Sequence, residues 1–213
     1  MSFRGELKKG SIVLQEKRTY FPSGELKLEG LYADPGHDRG AVISHPNPLM
    51  GGSMQNNVVE SLVRAFYEKG YATLRFNFRG VGRSEGTHDN GAGEKDDLAS
   101  AVSFLKDRGV QNIALAGYSF GAWVTANYLG NHQATGRVVL VAPPVSVYKF
   151  STGALTGKID LIVCGDKDPF CRSEDMLSFA TEVRAKFVFL PGTDHFFVGK
   201  EQDLIKNVQE NLI

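Results

Sequence analysis

Short apolar, β-prone runs recur along this chain, and segments with helical spacing separate them. The runs are "AVISH" at residue 41, "YATLRFNF" at 71, "NIALAG" at 112, "RVVLVA" at 137, "IDLIVCG" at 159 and "KFVFLPG" at 186. Most are continuously apolar rather than alternating, which is the pattern of strands buried on both faces. Between them, Val59, Leu62, Val63 and Phe66 follow i, i+3, i+4, i+7 spacing, as do Leu98, Ala101, Val102 and Leu105, and Met176, Phe179, Ala180 and Val183. That spacing gives each helix one apolar face to lay on a sheet. Strand–helix alternation with right-handed crossovers puts helices on both sides of a parallel sheet. The predicted fold class is therefore α/β, a three-layer α/β/α sandwich around a mostly parallel, twisted sheet.

The element ends agree with this pattern. Gly70 and Gly130 follow helical segments, where a left-handed cap favours glycine, and Glu94, Asp96 and Asp97 open the second helix at its positive dipole end. The first forty residues differ. They read "SIVLQEKRTYF" and then "GELKLEGLYADPG", alternating polar and apolar, which predicts an antiparallel hairpin at the sheet edge. "GTHDNGAGEKDD" is the most loop-like stretch, and there is no internal repeat. A chain of 213 residues can bury one core, so the expectation is a single domain over residues 1–213.

Lysine plus arginine total 24 and aspartate plus glutamate total 24, so no net charge draws the chain toward nucleic acid or an anionic membrane. The segment "MSFRGELKKG" lacks the apolar stretch of a signal peptide, and no later run approaches a membrane span. A cytoplasmic location is expected. Cys164 and Cys171 bracket "GDKDPF"; a bridge is sterically possible, but free thiols are expected in a reducing compartment. Two cysteines and five scattered histidines do not make the spacing of a metal site, so neither metal nor cofactor is expected.

In an open parallel sheet, ligands collect at the carboxyl ends of the strands, so the groups just after each strand carry the chemistry. After "NIALA" comes "GYSFG", with Ser119 between two glycines. Among 24 glycines such a pattern alone carries little weight. Its partners add weight: "DKDPF" with Asp168 follows "IDLIVCG", and "TDHFF" with His195 follows "KFVFLPG". A serine hydroxyl needs a neutral imidazole to take its proton, and the imidazole needs a carboxylate to hold its tautomer. Serine, acid and base stand here in the chain order of one hydrolase architecture.

On "GYSFG", "GDKDPF", "GTDHFF" and "FNFRGVGRSEG", the chain resembles the α/β-hydrolase superfamily, in its compact, lidless serine-esterase branch, and is similar to dienelactone hydrolases. The resemblance covers nearly the whole chain. It implies Ser119 as nucleophile, His195 as base and Asp168 as the orienting acid. The residues themselves leave Asp166, two places earlier, as an alternative acid, or Asp168 as a cap of the turn before Pro169, and read Asp194 as a loop carboxylate. The resemblance also implies an oxyanion hole made by the backbone N–H of Phe120 and one N–H from "HPNPLMGG". Pro46 and Pro48 have no N–H to donate, which leaves Asn47 or Leu49; Asn47 is preferred because the following proline restricts it to extended backbone. His45 is expected to be structural. In "RGVGRSEG", Gly80 and Gly82 shape a turn and Arg79 is expected to satisfy loop carbonyls. His37 and His132 are read as solvated loop residues, and His88 as part of a segment with room to flap over the cleft.

Cap domains usually follow the strand that here reads "VVLVAPP", yet only a short stretch separates Pro144 from Lys158. Without a lid, selectivity falls to a shallow cleft walled by Leu49, Met50, Phe120, Val145, Tyr148, Phe150, Phe170 and Phe196. No cluster of cations is placed to grip a phosphate, although Lys149 and Arg172 each offer one charge. The expected substrate is a small, neutral carboxylic ester. The alternatives are a thioesterase or peptidase of the same fold, or a catalytically silent protein that binds a partner through the cleft.

Overall fold

The apolar runs assemble into one sheet. A computed structural model describes residues 14–36 and 38–212, and its elements follow the alternation in chain order. A hairpin of β1 (Lys17–Ser23) and β2 (Leu26–Ala33) leads into β3 (Arg39–Ser44), α1 (Asn57–Tyr67), β4 (Ala72–Phe76), α2 (Ala92–Lys106) and β5 (Asn112–Tyr118). Then come α3 (Phe120–Asn131), β6 (Val138–Val141), the single turn α4 (Thr152–Leu155), β7 (Leu161–Gly165), α5 (Ser173–Val183), β8 (Lys186–Leu190) and α6 (Glu201–Asn211). The eight strands lie in the order β1-β2-β4-β3-β5-β6-β7-β8. β1 and β2 pair antiparallel, β2 meets β4 antiparallel, and every other pairing is parallel.

Every residue of β4, β6 and β7 is buried, so both faces of the sheet centre are covered. One layer is the pair α1 and α6, which pack on each other; the other includes α2 and α3, which also pack on each other. An aromatic line ties the edge hairpin to the centre: Phe21 meets Phe76 at 5.9 Å between ring centroids, Phe76 meets Phe78 at 5.1 Å, and Phe78 meets Phe120 at 6.0 Å. These edge-on contacts suit the ring quadrupoles.

The winding direction reverses at β3, which has β4 on one side and β5 on the other. A crevice must open there, above the carboxyl ends of both strands. Ser44, the last residue of β3, is in register with Gly117 of β5, so the loops leaving these two strands are neighbours.

Two sequence expectations need correction. Gly70 has a left-handed φ of 83° and its N–H donates to Tyr67 O at 2.9 Å, but Gly130 lies within α3 and lacks that conformation. At this helix end side chains replace the glycine cap: His132 Nδ1–H donates to Tyr128 O at 2.9 Å and Lys158 Nζ to Leu129 O at 2.6 Å. The second correction is that "GTHDNGAGEKDD" is helical from Ala92 onward. Glu94 accepts from the backbone N–H groups of Gly91 and Asp89, at 2.7 and 2.9 Å, which nucleates the first turn of α2. His37 lies outside the described residues, and no helix among the described residues is long and apolar enough to cross a membrane.

Candidate active site

Ser119 sits on the turn between β5 and α3 with φ 54° and ψ −118°, a conformation that costs roughly 1–3 kcal/mol. Crowding explains why the turn needs its glycines. A Cβ on Gly117 would stand 2.4 Å from Gly121 O, and one on Gly121 would stand 2.5 Å from Ser44 O. Strand, helix and the end of β3 therefore pack backbone against backbone, and the serine is pushed out at the apex. Its own N–H donates to Val141 O at 2.9 Å, which anchors the turn to β6.

His195 arrives on the loop after β8. Tyr118, the residue before the serine, donates its hydroxyl to His195 O at 2.8 Å, and Asn57 Nδ2 donates to Phe196 O at 3.0 Å. Burial pushes the Tyr118 phenol up, so it stays a donor. Held this way, His195 Nε2 lies 2.9 Å from Ser119 Oγ, and Nδ1 lies 2.6 Å from Asp168 Oδ2. Asp168 is buried on the loop after β7, and its Oδ1 accepts from the backbone N–H of Phe170 at 2.9 Å. The carboxylate can only accept at Nδ1, so Nδ1 carries the proton and Nε2 is left to accept from the serine hydroxyl. Asp166 is exposed and accepts from the Thr193 N–H at 3.2 Å, away from the imidazole. Asp194 is likewise an exposed loop residue, accepting from the Phe196 N–H at 2.9 Å.

The loop after β3 closes the other side. Asn47 caps the 3-10 turn Pro48–Met50, its Oδ1 accepting from the Leu49 N–H at 2.8 Å. That bond occupies the Leu49 N–H. Among the described residues, the backbone N–H groups of Asn47 and Phe120 donate to no protein acceptor. His45 is fully buried and is held from both sides, donating from Nδ1 to Pro46 O at 2.7 Å and accepting at Nε2 from the Phe78 N–H at 3.0 Å. Desolvation lowers its pKa to about 4, so it stays neutral.

A cleft of about 250 Å³ lies over Ser119. Of the walls expected from sequence, Met50, Phe120, Tyr148, Phe170 and Phe196 line it. Leu49 points to the neighbouring surface beside Gly80 and His88, Val145 packs on the core, and Phe150 meets Phe179 at a tilt, 4.9 Å between ring centroids. Val147, Asn56 and Tyr118 line the cleft without having been singled out. Tyr118 was findable as the last strand residue before the serine, whereas Val147 and Asn56 carry no local signal.

Among the described residues, Arg79 satisfies a carboxylate rather than loop carbonyls. Its guanidinium Nη2 donates to Asp97 Oδ1 at 2.8 Å, and its backbone N–H donates to Asp97 Oδ2 at 2.9 Å. Ser23 also donates to Asp97 at 2.8 Å, so this helix carboxylate ties hairpin, loop and α2 together. His88 is anchored rather than loose: Nδ1 lies 2.8 Å from the buried Glu94, without hydrogen-bond alignment, and the ring rests on Phe120. His132 is exposed and stacks on Tyr128. Cys164 and Cys171 are buried free thiols; Cys171 donates to Pro143 O at 3.0 Å, and its neighbours Cys164 and Asp168 together with burial push its pKa up. With Asp168 they form a group within 4.8 Å, the one cluster of potential metal ligands among the described residues. The raised Cys171 thiol is a poor ligand, and Asp168 already serves His195.

The family described as serine aminopeptidase, S33, matches residues 49–161, a span that contains Ser119 but not Asp168 or His195. An uncharacterised protein of Rickettsia prowazekii is 31% identical over 208 residues, covering 91% of this chain and 87% of its own length. Among solved structures, an alpha-beta serine hydrolase homologue from Coxiella burnetii is 34% identical with a TM-score of 0.87, over 95% of this chain and 100% of that one. A Xanthomonas campestris structure, described as an a/b serine hydrolase without lid, is 30% identical with a TM-score of 0.82, over 92% and 93% of the two chains. The chain thus belongs to the serine aminopeptidase S33 family of the α/β-hydrolase superfamily, and is a hydrolase of the α/β serine-hydrolase type.

Proposed function

We propose that this hydrolase cleaves carboxylic esters of small or short-chain acyl groups through an acyl-enzyme on Ser119. The observation that carries the reading is the unbroken chain from Ser119 Oγ through His195 to Asp168, at 2.9 and 2.6 Å. In the proposed cycle, Nε2 takes the hydroxyl proton as Oγ attacks the ester carbonyl carbon. The carbonyl oxygen becomes an oxyanion facing the N–H groups of Phe120 and Asn47. Asp168 stabilises the imidazolium, which then protonates the departing alcohol. Water enters, gives its proton to Nε2, attacks the acyl carbon, and releases the acid and the serine.

The cleft favours an ester over an amino-terminal peptide, despite the family's description. An α-ammonium group needs a carboxylate partner, and none of the cleft-lining residues is aspartate or glutamate. The lidless reading rests on the stretch between β6 and β7, which holds only the four-residue α4, and on the likeness to the lidless Xanthomonas structure.

A fluorophosphonate probe should label the parent protein and not Ser119→Ala, and Ser119→Ala should lose roughly 10⁴- to 10⁶-fold in kcat on p-nitrophenyl acetate. Parental turnover by Ser119→Ala ends the proposal. In an open cleft only the first carbons of an acyl chain leave water, so kcat/KM should rise or hold to about butyrate and then flatten. A steady climb through decanoate, measured below each ester's micelle-forming concentration, means that a segment closes over the chain.

A further inference from the structure

The cleft is mostly apolar, but one hydroxyl in it has a proton with no acceptor among the described residues. Tyr148 is held stiffly: its ring stacks on Trp123 at 4.6 Å and 27°, and lies edge-on to Phe120 at 6.2 Å. Trp123 is itself fixed by donating from Nε1 to Lys149 O at 2.9 Å. The phenol oxygen accepts a hydrogen bond from Asn47 Nδ2 at 3.3 Å. Asn47 cannot reverse this by flipping its amide, because its Oδ1 is engaged by the Leu49 N–H at 2.8 Å. Tyr148 is therefore the acceptor in that pair, and its own O–H must point elsewhere. Among the described residues nothing accepts it, and Tyr148 lines the cleft over Ser119.

Asn56 repeats the arrangement. Its Oδ1 caps α1 through the Val58 N–H at 2.9 Å, which leaves the amide N–H groups without an acceptor among the described residues at the cleft wall. Both side chains offer neutral donors. No lysine or arginine lines the cleft, so a carboxylate or phosphate on the ligand would be buried without a cation. An uncharged oxygen carries no such cost.

We propose that Tyr148 is a specificity residue whose hydroxyl donates to a second, uncharged oxygen of the substrate, an ether, hydroxyl or carbonyl within a few bonds of the scissile ester. The preferred substrates are then oxygenated small esters rather than plain alkanoates. This rests on the esterase reading above. Asn47 links the two roles, since its backbone N–H is the proposed oxyanion donor and its side chain sets which way the Tyr148 proton points.

The test compares isosteric ester pairs on the parent protein and Tyr148→Phe. One pair varies the acyl side, p-nitrophenyl methoxyacetate against p-nitrophenyl butyrate; the other varies the alcohol side, 2-methoxyethyl acetate against butyl acetate. Within each protein the quantity read is the ratio of kcat/KM for the oxygenated ester to that for its all-carbon partner, and comparing the two proteins cancels intrinsic reactivity. Tyr148→Phe should lower this ratio about 3- to 10-fold in at least one pair. Loosening of Asn47, the other consequence of losing the hydroxyl, slows both members of a pair alike and leaves the ratio unchanged. Turnover of the esters with an unaltered ratio in both pairs overturns the assignment while the esterase reading survives. Failure of the parent protein to hydrolyse any of the four overturns both.

Discussion

Two loops at the carboxyl edge of the sheet each carry a buried histidine, and they use it in opposite ways. His45, after β3, has both ring nitrogens engaged by the backbone, at Pro46 O and the Phe78 N–H. His195, after β8, has both nitrogens engaged by side chains, a carboxylate and a hydroxyl. Backbone partners fix one protonation state and hold two loops together. Side-chain partners that themselves exchange protons allow the ring to pass one along. Burial does not separate the two residues; His195 lines the cleft and His45 does not, and the chemistry of their partners differs.

The largest effects expected from this contrast lie on the His195 side. Asp168→Asn should cost on the order of 10⁴-fold in kcat by removing the acceptor that holds the tautomer. Asp166→Asn, whose side chain accepts from the Thr193 N–H, should cost far less. Steady-state kinetics on one p-nitrophenyl ester checks both, and the reverse ranking transfers the role to Asp166. Neither change should move the melting temperature as far as a change at His45.

His45→Ala should lower stability by about 2 to 4 kcal/mol, because it leaves the Phe78 N–H unpaired and opens a cavity beside Phe78. Denaturant melts measure this, and an unchanged midpoint would make His45 an idle residue. The same ring predicts a pH dependence. Above about pH 6.5 the imidazole is neutral in both folded and unfolded chains, and its contribution is complete. As pH falls from the ordinary 6.5 to the buried value of about 4, the unfolded chain binds a proton that the folded chain refuses. Stability therefore drops through that window, by about 3 kcal/mol in all, with no further loss from this group below it. His45→Gln, which can still donate and accept, should flatten that part of the profile; a parallel profile would move the loss to other groups.

The smallest effect concerns how the His195 loop is held. Tyr118→Phe removes the hydroxyl that donates to His195 O and should lower kcat about 3- to 10-fold with little change in KM. A rise in KM with unchanged kcat would place Tyr118 in substrate binding instead.

Much of this edge was legible in the chain because its cause is local. The runs at 41, 112, 159 and 186 are strands since their apolar character is continuous, and "GYSFG" marks a tight turn since no other residue fits where Gly117 and Gly121 pack. Other features depended on partners distant in sequence. Gly130 looked like a helix cap until His132 and Lys158 took over the end carbonyls. Arg79 looked like a loop brace until Asp97 appeared beneath it. Leu49 and Val145 were plausible cleft walls by type, but loop side chains point where neighbouring packing allows, so Val147 lines the cleft instead.

The amino-acid sequence by itself determined the α/β alternation, the edge hairpin and the order of serine, acid and histidine, because periodicity and turn chemistry act over a few residues. Only the tertiary structure decided which aspartate faces His195, which N–H groups are left without an acceptor among the described residues beside Ser119, and which side chain donates to the Tyr148 oxygen. Each of those is a directional contact between loops that meet only when the strands pair. A hydrogen bond is made or lost within about half an ångström, a tolerance that no pattern of residue types along the chain can specify.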